Sequence, residues 1–453
     1  MRKICVQGLG FVGCAMSVAI ASSKNNLKVI GLERDNERGK SIVSKINKKI
    51  IPFKTTDSQL LNKFYSCVAK NFEATVNNKV LEEVDVVISN INLDLIYKGK
   101  KPNVDFDNIK KIYKTIGKKV KKGTLIVLET TVPPGTSENI ILPILKKEFK
   151  KRSFDEKDLN YVYSYERVMP GKEYLNSIKN FWRVYSSNNS NADRKFKKLC
   201  SLFINLEEFP MTKLEDLRSA ETAKILENSY RATNIAFIQE WTEFSESLKI
   251  NLFPIIDAIR MRPTHNNLMK PGLGVGGYCL TKDPLFGKIS LNEFLPNRSF
   301  KNNFEFSTKA VISNNKMPNF SYKCILKKIS SLKNKKVLFF GVTYKSDVQD
   351  TRHSPATILA KKLSKKGAKI FFNDDLSTEW NEIKNSKHFD SKKIVNFDII
   401  IFNFETKISK AINFSSFQNF KGLIVDVSNS LSTLQQKQVK LLKIKHVFIG
   451  NFS

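Results

Sequence analysis

Short apolar runs alternate with helix-length amphipathic segments through the first half of this chain, the pattern of a parallel sheet covered by helices. Residues 3–7 read as a first strand, residues 11–23 as the helix after it, and residues 27–32 as a second strand. Residues 84–89, 124–128 and 161–164 are further buried-strand candidates, each followed by polar or proline-rich punctuation. From about residue 214 to 250 the pattern changes to one long helical stretch without proline or glycine. Lys224, Asn228 and Arg231 recur there at three-to-four spacing, and Ile225, Ile235, Ile238 and Phe244 mark apolar faces. Such a helix reads as a spine between two α/β halves, with a face able to meet its copy in a second subunit.

A second strand-turn-helix rhythm begins after the lysine-rich stretch 321–336. Residues 337–340 form a strand, Gly341 the turn, residues 354–365 a helix opened by Ser354 and Pro355, and residues 369–372 the next strand. Residues 397–402 and 423–427 continue the sheet. The fold class expected is therefore α/β, with two Rossmann-like doubly wound parallel-sheet domains joined by a long central helix and helical segment. The expected boundaries are residues 1–205, 206–320 and 321–453.

Composition narrows the function. The chain has 453 residues, enough for two or three domains with cores of their own. Its six cysteines contain no C-x-x-C pair and its four histidines lie far apart, so neither a disulfide framework nor a metal site is expected. Arg2 and Lys3 precede an apolar stretch reaching Ser22, but Gln7 and three glycines interrupt it, which argues against a secretory signal. No other apolar run approaches the length of a membrane span. A formal charge of +33 raises the question of nucleic acid, yet the lysines are spread in ones, twos and threes over the whole chain. That distribution fits solvated faces, with steering of an anionic small substrate as a possible use. The expectation is a cytoplasmic protein with no nucleic-acid or membrane partner.

The chemistry-bearing segments follow the strands. Gly8, Gly10 and Gly13 form G-x-G-x-x-G between the first strand and its helix: a tight turn, an open approach for a pyrophosphate, and close helix-strand packing. Glu33 stands 20 residues after Gly13 at the end of the second strand, where a carboxylate binds ribose hydroxyls and favours NAD over NADP. Thr131, before Val132, Pro133, Pro134 and Gly135, lies beyond the carboxyl end of a strand, where ligands sit in open parallel sheets. Glu166, in the loop after residues 161–164, is a candidate general base or half of a solvated pair with Arg167. Lys224 and Asn228 share a helix face, and an ammonium and an amide there suit an oxyanion or a thiolate. Gly272, Gly274, Gly276 and Gly277 lead into Cys279, Lys282 and Asp283, a thiol on irregular backbone beside groups able to hold a thiolate or activate water. Lys345, Asp347, Asp350 and Arg352 precede the helix at Pro355, a setting suited to phosphate or to a capped helix start.

Together, in this order and over nearly the whole chain, these segments resemble the UDP-glucose/GDP-mannose dehydrogenase family, NAD-dependent enzymes that oxidise the C6 alcohol of a nucleotide sugar to a carboxylate. The resemblance implies that Cys279 traps the intermediate aldehyde as a thiohemiacetal, which a second hydride transfer turns into a thioester. It implies oxyanion stabilisation by Lys224 and Asn228, water activation by Asp283, and proton transfer by Glu166 with Thr131. It also places Gly276, Lys345 and Arg352 near the nucleotide sugar, Arg262 in reach of a neighbouring subunit's substrate, and a homodimer on the central helix.

The chain departs from the family pattern in three places. Asn90, Ile91, Asn92 and Leu93 replace a usual Val-Pro-Thr-Pro, Tyr165 stands where proline usually precedes the glutamate, and Glu33 replaces the commoner aspartate. None removes a group the chemistry needs. Tyr278 to Asp283 lean towards the UDP-glucose branch, which is slightly favoured, whereas Pro271 to Gly277 are closer to the branch acting on N-acetylated sugars such as UDP-ManNAc or UDP-GlcNAc. Two rival classes are a two-electron hydroxyacid-type dehydrogenase, which would need no nucleophilic thiol, and a basic nucleic-acid-binding protein.

Overall fold

Ile4, Cys5 and Val6 are wholly buried, as are Val86, Val87 and Leu125 to Leu128, which is what strands covered on both faces require. The structure is a computed structural model that describes residues 3–23, 25, 27–98, 101–297, 299, 302–391 and 393–452. They fall into two units, Met1–Glu227 with Leu285–Asn303, and Asn228–Pro284 with Phe304–Ser453.

The first unit contains strands β1 (Lys3–Gln7), β2 (Lys28–Leu32), β3 (Phe72–Thr75), β4 (Val86–Ser89), an antiparallel pair β5 (Leu95–Lys98) and β6 (Lys101–Val104), then β7 (Leu125–Leu128), β8 (Asn160–Tyr163), β9 (Val184–Ser187) and β10 (Thr212–Lys213). Eight of them make one sheet in the order β10-β9-β8-β7-β4-β1-β2-β3. Neighbours run parallel except β8 and β9. From β1 the chain winds one way to β2 and β3 and the other way to β4, β7 and β8. The crevice between the ends of β1 and β4 is therefore a topological switch point, where such sheets bind ligands. The apolar stretch after Arg2 supplies β1 and the buried helix Phe11–Ala21, so it is core of this sheet.

The second unit holds β11 (Lys336–Phe340), β12 (Lys369–Asn373), β13 (Lys387–His388), β14 (Ile399–Phe402), β15 (Leu423–Asp426) and β16 (Lys445–Phe448). They form an all-parallel sheet in the order β13-β12-β11-β14-β15-β16, with helix Pro355–Lys365 after β11. The long helix is Leu217–Leu248, and helix Glu305–Leu326, with Pro318 inside it, covers only the start of the lysine-rich stretch. The fold is thus two doubly wound α/β sheets with long helices, as the apolar pattern predicts.

Several expected elements are shorter in the structure. The first helix stops at Ala21, and Val84 lies before β4. Phe397 closes a single 3-10 turn and so stands outside β14. Among the described residues no helix is long and apolar enough to cross a membrane. No group of three or more histidine, cysteine, aspartate or glutamate side chains gathers there as metal ligands would.

Candidate active site

In the first unit the glycine turn closes β1. Gly8 has φ +89°, and a Cβ on it would stand 2.5 Å from the carbonyl oxygen of Asn90. A Cβ on Gly13 would stand 1.9 Å from the oxygen of Gly8, so only glycine lets helix Phe11–Ala21 seat against the turn. A Cβ on Gly10 meets nothing within 4 Å, which leaves open space where a pyrophosphate approaches. The helix start has no side-chain cap and no acid in its first turn, so its amides are available to an anion. Glu33 accepts from the Leu9 amide at 2.5 Å, holding the turn against the end of β2. These residues fit a bound NAD: open backbone for the diphosphate and a carboxylate at the ribose position.

Beside that turn lies a buried charged cluster. Glu129, at the end of β7, accepts from Asn90 Nδ2 at 3.0 Å and from Arg183 at 3.0 Å. Arg183 also forms an ion pair with Glu166, and the three side chains are 2%, 5% and 9% exposed for Glu129, Arg183 and Glu166. Burial pushes Glu166 up to about 8, with Glu129 opposing and Arg183 favouring ionisation. Lys224 Nζ donates to the backbone carbonyl of Glu166 at 3.0 Å and lies 5.2 Å from the Tyr165 ring centroid. Tyr165, at the position of the absent proline, fills this corner and ties to Arg167 and Glu227. Arg167 pairs with Glu227, so the pairing of Glu166 with Arg167 considered from the sequence is replaced by Glu166 with Arg183.

Thr131 is half-buried in the loop after β7. That loop is pinned by Glu221 of the long helix, whose carboxyl accepts from the amides of Gly135 at 2.5 Å and Ser137 at 2.9 Å. Burial nevertheless pushes Glu221 up to about 7, because the amides only partly replace lost water.

In the second unit the thiol loop is organised around Asp283, which is wholly buried. Asn228 Nδ2 donates to one of its oxygens at 2.7 Å, and Lys282 Nζ to the other at 2.7 Å. The amides of Lys282 and Asp283 both donate to the carbonyl of Cys279, folding the chain so that the thiol is presented on a turn. Cys279 is exposed while the other five cysteines are buried. Burial holds Cys5 and Cys200 up at about 12, and Cys67 and Cys324 at about 11, so those thiols stay protonated. Gly276 and Gly277 lie against Tyr344, where a Cβ would meet its side chain at 2.7 and 2.9 Å. Lys345 and Arg352 follow on the same β11 loop, paired with Asp347 and, by two hydrogen bonds, with Asp350. Arg262 is exposed at the start of a 3-10 turn.

The structure thus gathers Lys224 with Glu166 in one unit, and Asn228, Cys279, Asp283, Gly276, Lys345 and Arg352 in the other. The chain matches the NAD binding domain of the UDP-glucose/GDP-mannose dehydrogenase family over residues 2–203, its central domain over 218–294 and its UDP binding domain over 338–433. It belongs to this family.

It is therefore an NAD-dependent nucleotide-sugar dehydrogenase. It is 31% identical over 372 residues to the UDP-N-acetyl-D-mannosamine dehydrogenase of Methanocaldococcus jannaschii, covering 82% of this chain and 78% of that one. With the enzyme of the same name from Methanococcus aeolicus it shares 29% over 456 residues, 98% of this chain and 95% of the relative. The solved UDP-D-ManNAc dehydrogenase from Pyrococcus horikoshii has the same fold, with TM-score 0.82 and 22% identity over 99% of each chain.

The sequence reading of this dehydrogenase missed Arg183 and the clamping role of Glu221. Arg183 sits before β9 in a stretch without motif, and its proximity to Glu129 and Glu166 exists only once β7, β8 and β9 pair.

Proposed function

We propose that this enzyme oxidises the C6 alcohol of UDP-N-acetyl-D-mannosamine to the carboxylate in two successive hydride transfers. The names of the relatives support that sugar. The lean of Tyr278 to Asp283 towards UDP-glucose has no such support. The observation that carries the two-step chemistry is Cys279: one exposed thiol among six, on a turn braced by a buried Asp283.

NAD supplies the chemistry of hydride acceptance at the first unit, and the rest falls to this chain's side chains. After the first oxidation the Cys279 thiolate adds to the aldehyde carbon, and the carbonyl electron pair moves to oxygen. Lys224 and Asn228 stabilise that oxyanion by charge and hydrogen bonding. Loss of the second hydride leaves a thioester. Water then attacks, Asp283 orients it, Glu166 with Thr131 takes its proton, and the carbon-sulfur bond breaks to release the acid. Gly8, Gly10, Gly13 and Glu33 hold the dinucleotide. Lys345, Arg352 and Gly276 hold the nucleotide sugar, with Arg262 reaching a partner subunit's substrate. A reducing compartment such as the cytoplasm suits a reactive thiol. Residues 1–205, 206–320 and 321–453 serve as cofactor, helical and substrate domains in this reading. A homodimer forms through the long helix, where Tyr230, Phe237, Trp241, Phe244 and Leu248 are exposed apolar residues of 43% to 57%.

The test is NADH yield with UDP-N-acetylmannosamine, UDP-N-acetylglucosamine, UDP-glucose and GDP-mannose offered separately. UDP-N-acetylmannosamine is expected to give two NADH per sugar and an acid product. Cys279→Ser is expected to cut acid formation by more than about 1000-fold while NAD still binds. One NADH per sugar with an aldehyde or ketone product, or turnover indifferent to thiol alkylation, overturns the reading in favour of two-electron chemistry.

A further inference from the structure

Glu129 is a second buried carboxyl that the reaction above does not use. It lies within hydrogen-bonding reach of Glu166. Two ionised carboxylates are acceptors only, so a hydrogen bond between them requires a proton on one. A single guanidinium, that of Arg183, bridges the two, and the three side chains are nearly sealed from water. The remaining groups around them are few. Lys224 points its ammonium at the Glu166 backbone carbonyl, Cys200 is held as a neutral thiol by burial, and Met16 and Phe203 contact the guanidinium. Asn90 fixes the far oxygen of Glu129, and its backbone oxygen borders the glycine turn at Gly8.

We propose that Glu129 and Glu166 act as a carboxyl pair holding one shared proton across Arg183, with Glu129 a positioning residue that keeps Glu166 poised as a proton acceptor. The inference rests on the role given to Glu166 above. With the shared proton displaced from Glu166, that side chain is a carboxylate. When it takes a proton from attacking water, an O–H bond breaks on water as one forms on Glu166, and the freed electron pair makes the new carbon-oxygen bond. The pair then carries two protons beside Arg183 and Lys224, an excess of positive charge in a dry site. Release of one proton to solvent restores the starting state.

The test uses the full chain with NAD and UDP-N-acetylmannosamine. In the parent enzyme kcat is expected to titrate near pH 8, where the pair gives up its single proton, so the limb there belongs to the proton-sharing state. In Glu129→Gln, Glu166 faces Arg183 and Lys224 without a competing carboxyl, so that limb is expected to move down by at least about one pH unit. A limb that superimposes on the parent's overturns the pair. Glu166→Gln separates the two readings: if it forms acid at the parental rate, the role of Glu166 fails. If it does not, and Glu129→Gln leaves the limb in place, the pair alone fails.

A measurement without turnover uses infrared spectra of protein labelled at glutamate carboxyls. Glu221 and Glu246 also have raised affinities for protons, so the readout is the spectrum of the parent minus that of Glu129→Gln. A protonated-carboxyl band at neutral pH in that difference is expected, and its absence overturns the proposal.

Discussion

Asn228 and Asp283 meet at 2.7 Å, amide nitrogen to carboxylate oxygen, and Lys282 holds the other oxygen at the same distance. With both oxygens engaged, the acid is fixed in orientation below the Cys279 turn. Asp283→Asn removes the counter-charge from a lysine side chain only 8% exposed, and a loss of about 3 kcal/mol of stability is expected from urea denaturation. Asn228→Ala leaves that ion pair standing. It is expected to cost far less stability and to lower kcat by about 100-fold, a separation that steady-state kinetics and denaturation on one preparation will show.

The three glycines of the first turn are expected to answer differently to the same change. Gly10→Ala adds a methyl into open space, so the melting temperature holds while NAD affinity, measured by titration calorimetry, falls. Gly13→Ala drives a methyl to 1.9 Å from a backbone oxygen, and loss of folded protein is expected before any cofactor effect is read. Gly8→Ala adds a clash with Asn90 to a backbone at φ +89°, with a cost of more than about 1 kcal/mol.

Glu221 gives stability a pH dependence of known sign. Its carboxyl titrates near 4.5 when unfolded and is raised to about 7 in the fold, so between those values the native state holds a proton that the unfolded chain has released. Its contribution is therefore full below about pH 4.5, falls as pH rises to about 7, and is flat above. At about 1.4 kcal/mol per unit, the difference between wild type and Glu221→Gln should change by about 3 kcal/mol between pH 4.5 and 8. Chemical denaturation of both proteins across that range checks it, and parallel curves exclude Glu221 as the source.

The helix surface makes a prediction about assembly. Phe237 and Phe244 each meet Trp241 edge to face, and all three remain 43% to 50% exposed, an apolar stripe that a dimer would cover. Trp241→Asp is expected to convert a dimer into a monomer in sedimentation velocity. A parent protein already monomeric at micromolar concentration removes this interface from the proposal.

The sheets were readable where the chemistry of burial is local. Leu125 to Leu128 and Val337 to Phe340 are continuous apolar runs that only a covered strand explains, and Gly8, Gly10 and Gly13 punctuate the first of the turns. Less of the margins was legible. β3 alternates exposed and buried positions over four residues, β9 ends in two serines, and β16 begins on an exposed lysine, so none carries a run long enough to stand out. Lys224 and Asn228 were picked out as candidates because helical periodicity places them on one face. Arg183 was not, because its two carboxylate partners come from residues 54 and 17 positions away and meet it only across paired strands. Charge pairing had the same limit. A sequence shows that Glu166 precedes Arg167, but packing of Tyr165 sends that arginine to Glu227 instead.

Sealing five thiols in apolar cores while leaving Cys279 at the surface concentrates the chain's vulnerability to oxidants on one atom. A maleimide or iodoacetamide label is then expected to enter the native protein once per chain, at Cys279. Under the chemistry proposed above, reversible loss of activity under peroxide, restored by a dithiol, is the expected result.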